Sequence, residues 1–139
     1  MNTTRQTAFR EPFDNGRIRM EQYRGVLYCE AYMEDEFTVD DIQSMKDIIN
    51  KYFDGFTDII LKKVGHYSVS AEAQIRLSRG IREFRNFVYV ADTKIKRDSA
   101  LYATKTYMTE YNAKVSESKE EAYSMLLEQS LHNPGPTSA

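Results

Sequence analysis

Hydrophobic and polar positions alternate over Gly16–Tyr23 (GRIRMEQY), with Ile18 and Met20 on one face and arginines and Glu21 on the other. A period of two marks a half-buried strand. Arg24 and Gly25 suit a tight turn, and Val26–Tyr32 (VLYCEAY) returns as a more apolar strand, so the pair reads as a hairpin. After an acidic loop of Glu34, Asp35 and Glu36 the period lengthens. Ile42, Met45, Ile49 and Tyr52 recur at three- and four-residue spacing, which predicts a helix with one apolar stripe. Thr38 is its expected N-cap, Asp40 and Asp41 sit at the positive dipole end, and Gly55 ends it.

Asp58–Val64 (DIILKKV) has the length and composition of an interior strand. Ser70 opens a second helix, with Ala73, Leu77, Ile81 and Phe84 facing inward. Phe87–Ala91 (FVYVA) is another short buried strand, ending at Asp92. Asp98 or Ser99 is expected to cap a third helix that turns Leu101, Thr104, Tyr107 and Met108 inward. Ala113–Ser116 is a weak strand. Ser118 and Glu121 have capping-box spacing ahead of a fourth helix, with Ala122, Met125, Leu126 and Gln129 on one side.

The predicted order is β-β-α-β-α-β-α-β-α. Alternation at this spacing needs crossover connections, hence a single α/β domain with a mainly parallel sheet, an N-terminal hairpin and about four helices. Residues 1–15 read as a flexible N-terminal segment, 16–131 as the domain, and 132–139 (HNPGPTSA) as a flexible tail whose prolines and glycine stop the last helix.

At 139 residues the chain is long enough to bury a core, and 41% hydrophobic with 29% charged residues is the balance of a soluble globular domain. A net charge of -2 lacks the basic footprint of a nucleic-acid binder. A single cysteine, Cys29, forms no internal disulfide, which points to a reducing compartment; within VLYCEAY it reads as a small buried strand residue. No apolar run approaches the ~18 residues of a spanning helix. The start (MNTTRQTAFREPF) has no apolar signal region, so a cytoplasmic protein is expected.

The loop between the third strand and the second helix carries the densest candidate chemistry: Gly65, His66, Tyr67, Ser68 and Ser70. In open α/β sheets such loops lie at the carboxyl ends of strands, where ligands and partners bind. His66 beside serines suggests nucleophilic catalysis, with Asp92 as a distant acid. No G-x-S-x-G elbow is present, however, and Ser70 reads first as a helix cap. No paired His/Cys spacing offers a metal site and no glycine-rich loop offers a phosphate site, so neither metal nor cofactor is expected. Arg76, Arg79, Arg82 and Arg85 form the main basic cluster, joined by Lys94, Lys96 and Arg97. Glu72 four before Arg76 and Glu83 four after Arg79 favour a solvated, charge-laced face, while Arg76 and Arg79 remain candidates for contact with an anion or a partner.

The hairpin, the acidic loop before a helix, DIILKKV followed by SVSAEAQ, FVYVADTK and AKVSESKEEAYSML together resemble STAS-type domains, which have the SpoIIAA-like fold of an anti-sigma-factor antagonist. The likeness covers about Gly16 to Leu131 and is nearest to a small, mostly uncharacterised bacterial branch. It implies a regulatory module that binds a kinase or anti-sigma-type regulator and is switched by phosphorylation of a serine just before the second helix. The switch motif of that family has an aspartate before the serine and a small residue or glycine after it. Here neither Ser68 nor Ser70 follows an aspartate or precedes a glycine.

Two functions compete. One is a non-enzymatic, cytoplasmic protein-interaction module presenting His66, Tyr67, Ser68 and Ser70 to a partner. The other is a small-ligand or lipid-binding domain with an apolar cavity between helices and sheet. A close-packed core with an exposed apolar patch at Tyr67 and Val69 favours the first; a pocket of several hundred Å³ with a polar mouth favours the second. The apolar strands, tyrosines and small size also allow a homodimer.

Overall fold

A computed structural model describes residues 12–77, 79 and 84–132. Within them the chain is an α/β fold with four helices and a mostly parallel, mixed six-stranded sheet. The strands are β1 (Phe13–Asp14), β2 (Ile18–Tyr23), β3 (Val26–Ala31), β4 (Glu36–Phe37), β5 (Asp58–Lys63), β6 (Ser68–Val69), β7 (Asn86–Val90) and β8 (Asn112–Ser116). The helices are α1 (Val39–Tyr52), α2 (Ala71–Leu77), α3 (Lys94–Thr106) and α4 (Lys119–His132). The main sheet runs β1-β2-β3-β5-β7-β8, and β4 and β6 form a separate two-stranded ladder.

The β2–β3 hairpin closes through Arg24 and Gly25, with Tyr23 opposite Val26 and Arg24 in the left-handed region at φ 57°. From β3 onward every pair in the main sheet is parallel. The period-two pattern decides what each face buries. Met20, Cys29, Leu61 and Tyr89 lie on one face, against Ile42, Met45 and Ile49 of α1, Ala73 and Leu77 of α2, and Ala100 and Ala103 of α3. Tyr28, Ile60, Val88 and Val90 lie on the other, against Ala122 and Leu126 of α4. The strands succeed one another in chain order with three helices on one face, so all three crossovers have the same hand. The carboxyl ends of β3, β5 and β7 therefore share one edge of the sheet.

Caps account for the helix starts. Thr38 accepts the Asp41 N–H while the Asp41 carboxylate accepts the Thr38 N–H, a complete capping box. Ser118 accepts the Glu121 N–H at 3.0 Å, but the Glu121 carboxylate turns to the Glu117 N–H at 2.7 Å, so that box is displaced by one residue. The expected start of α3 at Asp98 or Ser99 is wrong. Thr93 is the cap, accepting from Lys96, and it starts the helix despite Lys94, Lys96 and Arg97 at the positive dipole end. The buried side of α3 is carried by Lys96, Ala100 and Ala103, whereas Leu101, expected inward, is 43% exposed; Met108, just past the helix, is buried as expected.

Tyr52 ends the α1 stripe at the rim, stacked on Phe13 with centroids 6.0 Å apart. Phe13–Asp14, within the segment expected to be flexible, form a short edge strand on β2. Helix α4 continues through His132, one residue beyond its expected end at Leu131. Residues 1–11, Ile81, Arg82, Glu83, the Gln129 side chain and the tail from 133 lie outside what the structure describes.

Candidate functional site

The loop after β5 is held against the end of β3. The Val64 and Gly65 N–H groups both donate to the Ala31 carbonyl, at 2.9 and 3.2 Å. A Cβ on Gly65 would stand 1.9 Å from the Met33 carbonyl oxygen, so only glycine lets the two backbones pass this closely. Beyond the crossing, β6 pairs with β4, setting Ser68 opposite Glu36 and Val69 opposite Phe37. The His66 N–H donates to Glu34 Oε1 at 3.1 Å. The acidic loop and the serine loop thus form one ribbon at the carboxyl edge of the sheet. Alternation along that ribbon leaves His66 and Ser68 exposed and turns Tyr67 inward, where it meets Phe37 edge-on at 5.4 Å.

Arg17 clamps the acidic side. Its guanidinium makes a fork with Asp41 (2.7 and 3.0 Å), reaches Asp35 at 2.9 Å and donates to the Glu36 carbonyl at 2.7 Å. A planar donor set suits this bidentate contact. Burial pushes the Asp41 carboxyl up, but Arg17 and the Thr38 N–H and hydroxyl outweigh it and hold the group below the usual carboxylate range.

Behind the ribbon lies a small open recess of about 40 Å³ between the sheet, α2 and α3. Phe37, Leu61, Tyr67, Leu77, Tyr89 and Ala103 make most of its wall. The alanines of α3 leave space there that larger side chains would fill. Lys63 shares the sheet face of Leu61 and Tyr89, because it follows Leu61 by two residues and Leu61 is paired with Tyr89. Its ammonium donates to the Tyr67 carbonyl at 3.1 Å and stands 4.4 Å from the Tyr67 ring centre. Burial lowers the Lys63 pKa, and nearby Lys96 lowers it further. Lys96 is itself buried and is committed to the Val64 carbonyl at 3.0 Å and to Asp92 at 3.6 Å. The Tyr89 hydroxyl is buried with no hydrogen-bond partner among the described residues. Burial raises the pKa of both recess phenols, and Tyr89 raises that of Tyr67 further.

The sequence-predicted residues divide. Ser70 accepts the Ala73 N–H at 3.1 Å and is the cap of α2. Ser68 is exposed, but its register partner is Glu36, so a phosphate there would face a carboxylate. Tyr67, a candidate residue of the interaction loop, is only 7% exposed and lines the recess. No hydrogen bond or ion pair joins His66 to Asp92 among the described residues; Asp92 pairs with Lys96. Arg76 pairs with Glu72 at 3.4 Å on a solvated face. Arg79 is exposed beside a shallow groove with Thr106, Tyr107 and Glu110. Among the described residues no three His, Cys, Asp or Glu side chains gather as metal ligands, and no helix is long and apolar enough to cross a membrane.

Sequence reasoning missed Lys63, Tyr89 and the Arg17 clamp. The one signal for the first two was their position two residues apart, or in register, with an inward Leu61 on adjacent buried strands. Comparison with protein-family models, curated proteins and solved structures gave no match.

Proposed function

We propose that this chain is a non-enzymatic binding domain that takes a small, mainly apolar ligand in the recess at the carboxyl ends of β5 and β7. The observation that carries the reading is the recess itself, about 40 Å³ between apolar walls with a few polar side chains among them. Apolar walls with a few placed polar groups are the lining of small-molecule sites, and this one is smaller than the usual pocket. A space this small takes at most one ring or a short chain and excludes a whole lipid. The burial of Tyr67 also counts against a flat apolar docking patch on this loop.

A second reading keeps the STAS-like regulatory module. It draws on the exposure of His66, Ser68 and Ser70 on a ribbon whose other side, through Phe37, Tyr67 and Val69, walls the recess. A partner gripping the ribbon would then sense whether the recess is filled.

The ligand reading is tested by filling the recess. Ala103→Leu projects a larger side chain from α3 into it. Calorimetry with benzyl alcohol should give a binding heat with the unaltered protein and about tenfold weaker binding or less with the variant, while circular dichroism shows both folded. Equal binding by the two proteins would defeat the reading.

A further inference from the structure

We propose that the ligand of this recess is a small aromatic monocarboxylic acid, its ring among Phe37, Tyr67 and Tyr89 and its carboxylate on the Tyr89 hydroxyl and the Lys63 ammonium. The inference rests on the recess being a ligand site and adds the chemistry of what enters.

Three observations define that chemistry. The first is the buried, unpartnered hydroxyl of Tyr89, a residue 8% exposed that lines the recess. Leaving a buried hydroxyl without a partner is unfavourable. Its phenol stays protonated because burial raises its pKa, so it offers a donor and calls for an acceptor. The second is the Lys63 ammonium on the same wall. It bonds a carbonyl and faces a ring, and no carboxylate pairs with it among the described residues. Lys96, close enough to lower the Lys63 pKa, already has Asp92 and the Val64 carbonyl. One cation without a carboxylate partner among the described residues and one neutral donor match a single negative charge. A phosphate dianion would enter this apolar site undercompensated. The third is the aromatic setting. Phe37 and Tyr67 meet edge-on at 5.4 Å, and Phe87 and Tyr89 are tilted at 4.9 Å. A further ring gains edge and face contacts in such a cluster that an alkyl chain does not.

The experiment titrates the full chain at neutral pH with phenylacetate, benzyl alcohol, octanoate and phenyl phosphate, followed by calorimetry and by amide shifts. Phenylacetate should bind tightest of the four. Lys63→Met should weaken phenylacetate about tenfold more than it weakens benzyl alcohol, as expected for loss of a charge-assisted bond. Retained benzyl alcohol binding shows that the variant is folded; if Lys63→Met unfolds, Lys63→Gln serves in its place. Tyr89→Phe, which keeps the ring, should also weaken phenylacetate. The proposal is overturned if benzyl alcohol, octanoate or phenyl phosphate binds as tightly as phenylacetate, or if the Lys63 variant holds phenylacetate as well as the unaltered protein. In those cases the recess stands as a site and only its ligand chemistry is wrong. If none of the four compounds binds, both the inference and the reading beneath it fail.

Discussion

Replacing Gly65 with alanine should be among the most damaging single-methyl additions to this protein. The added Cβ would lie 1.9 Å from the Met33 carbonyl oxygen and 2.9 Å from the carbonyl carbons of Met33 and Tyr32. All three are backbone atoms, so no side-chain rotation relieves the overlap. Ordinary overpacking costs about 1–3 kcal/mol. Here two backbones must separate, and the Gly65 and Val64 bonds to the Ala31 carbonyl lengthen with them. We therefore expect a loss of at least about 3 kcal/mol, the upper end of that range. Urea unfolding followed by circular dichroism measures it, as a lower midpoint with an unchanged slope. Gly25→Ala is the control, because its nearest contact would be Thr57 Oγ1 at an ordinary 3.7 Å; it should change stability by no more than about 0.5 kcal/mol. A Gly65→Ala protein as stable as the control would refute the close crossing of the β5 loop over the end of β3. The ribbon built on that crossing would fall with it.

Other consequences are independent of the recess. The Asp41 carboxyl has a folded pKa below its unfolded value, so its stabilising effect is present above the unfolded pKa and is lost as pH falls through the folded one. Asp41→Asn should thus destabilise clearly at pH 7 and progressively less as the solution is acidified below about pH 4; an equal loss at every pH would contradict the Arg17 clamp. Ser70→Ala should cost about 1 kcal/mol as a lost N-cap, read from urea midpoints, and no measurable loss would remove Ser70 from that role. Cys29 is fully buried, with its thiol pushed up to about 12 by burial. A thiol reagent should leave it unmodified in the native protein and modify it in denaturant; rapid native labelling would show that β3 is not covered.

Much of the fold could be read along the chain, because its longer elements obey their own periods. Ile18 and Met20 declare β2, Ile42, Met45 and Ile49 declare α1, and the apolar runs at Asp58 and Phe87 declare β5 and β7. Each of those patterns spans enough residues to set a face. The failures have local causes. Strands β1, β4 and β6 are two residues long, too short to show alternation. The start of α3 was hidden by a basic first turn, which argues against a helix start on dipole grounds, while Thr93 supplies the cap regardless. The inward side of that helix carries alanines rather than large apolar residues, so Leu101 misled.

The site was less legible for a related reason. Ser70 has a recognisable capping position, and the loop around it was rightly placed at the end of a buried strand. The recess, however, is made by Lys63, Tyr67 and Tyr89 from two strands and a loop, and by alanines from α3. Their convergence follows from the register of β5 against β7, which the residue order alone does not reveal. Arg17 likewise looked like one more solvent-facing arginine of β2, yet it meets Asp35 and Asp41 across the fold.

The most direct measurement of the central claim is an amide chemical-shift map of the protein titrated with benzyl alcohol, which needs no assumption about charge. Binding in the recess predicts saturable shifts gathered at residues 61–69, 89–91 and 99–103, which bring together β5, its loop, the end of β7 and α3. Shifts absent there, or scattered around exposed Ile95, Tyr102 and Leu127 instead, would contradict it.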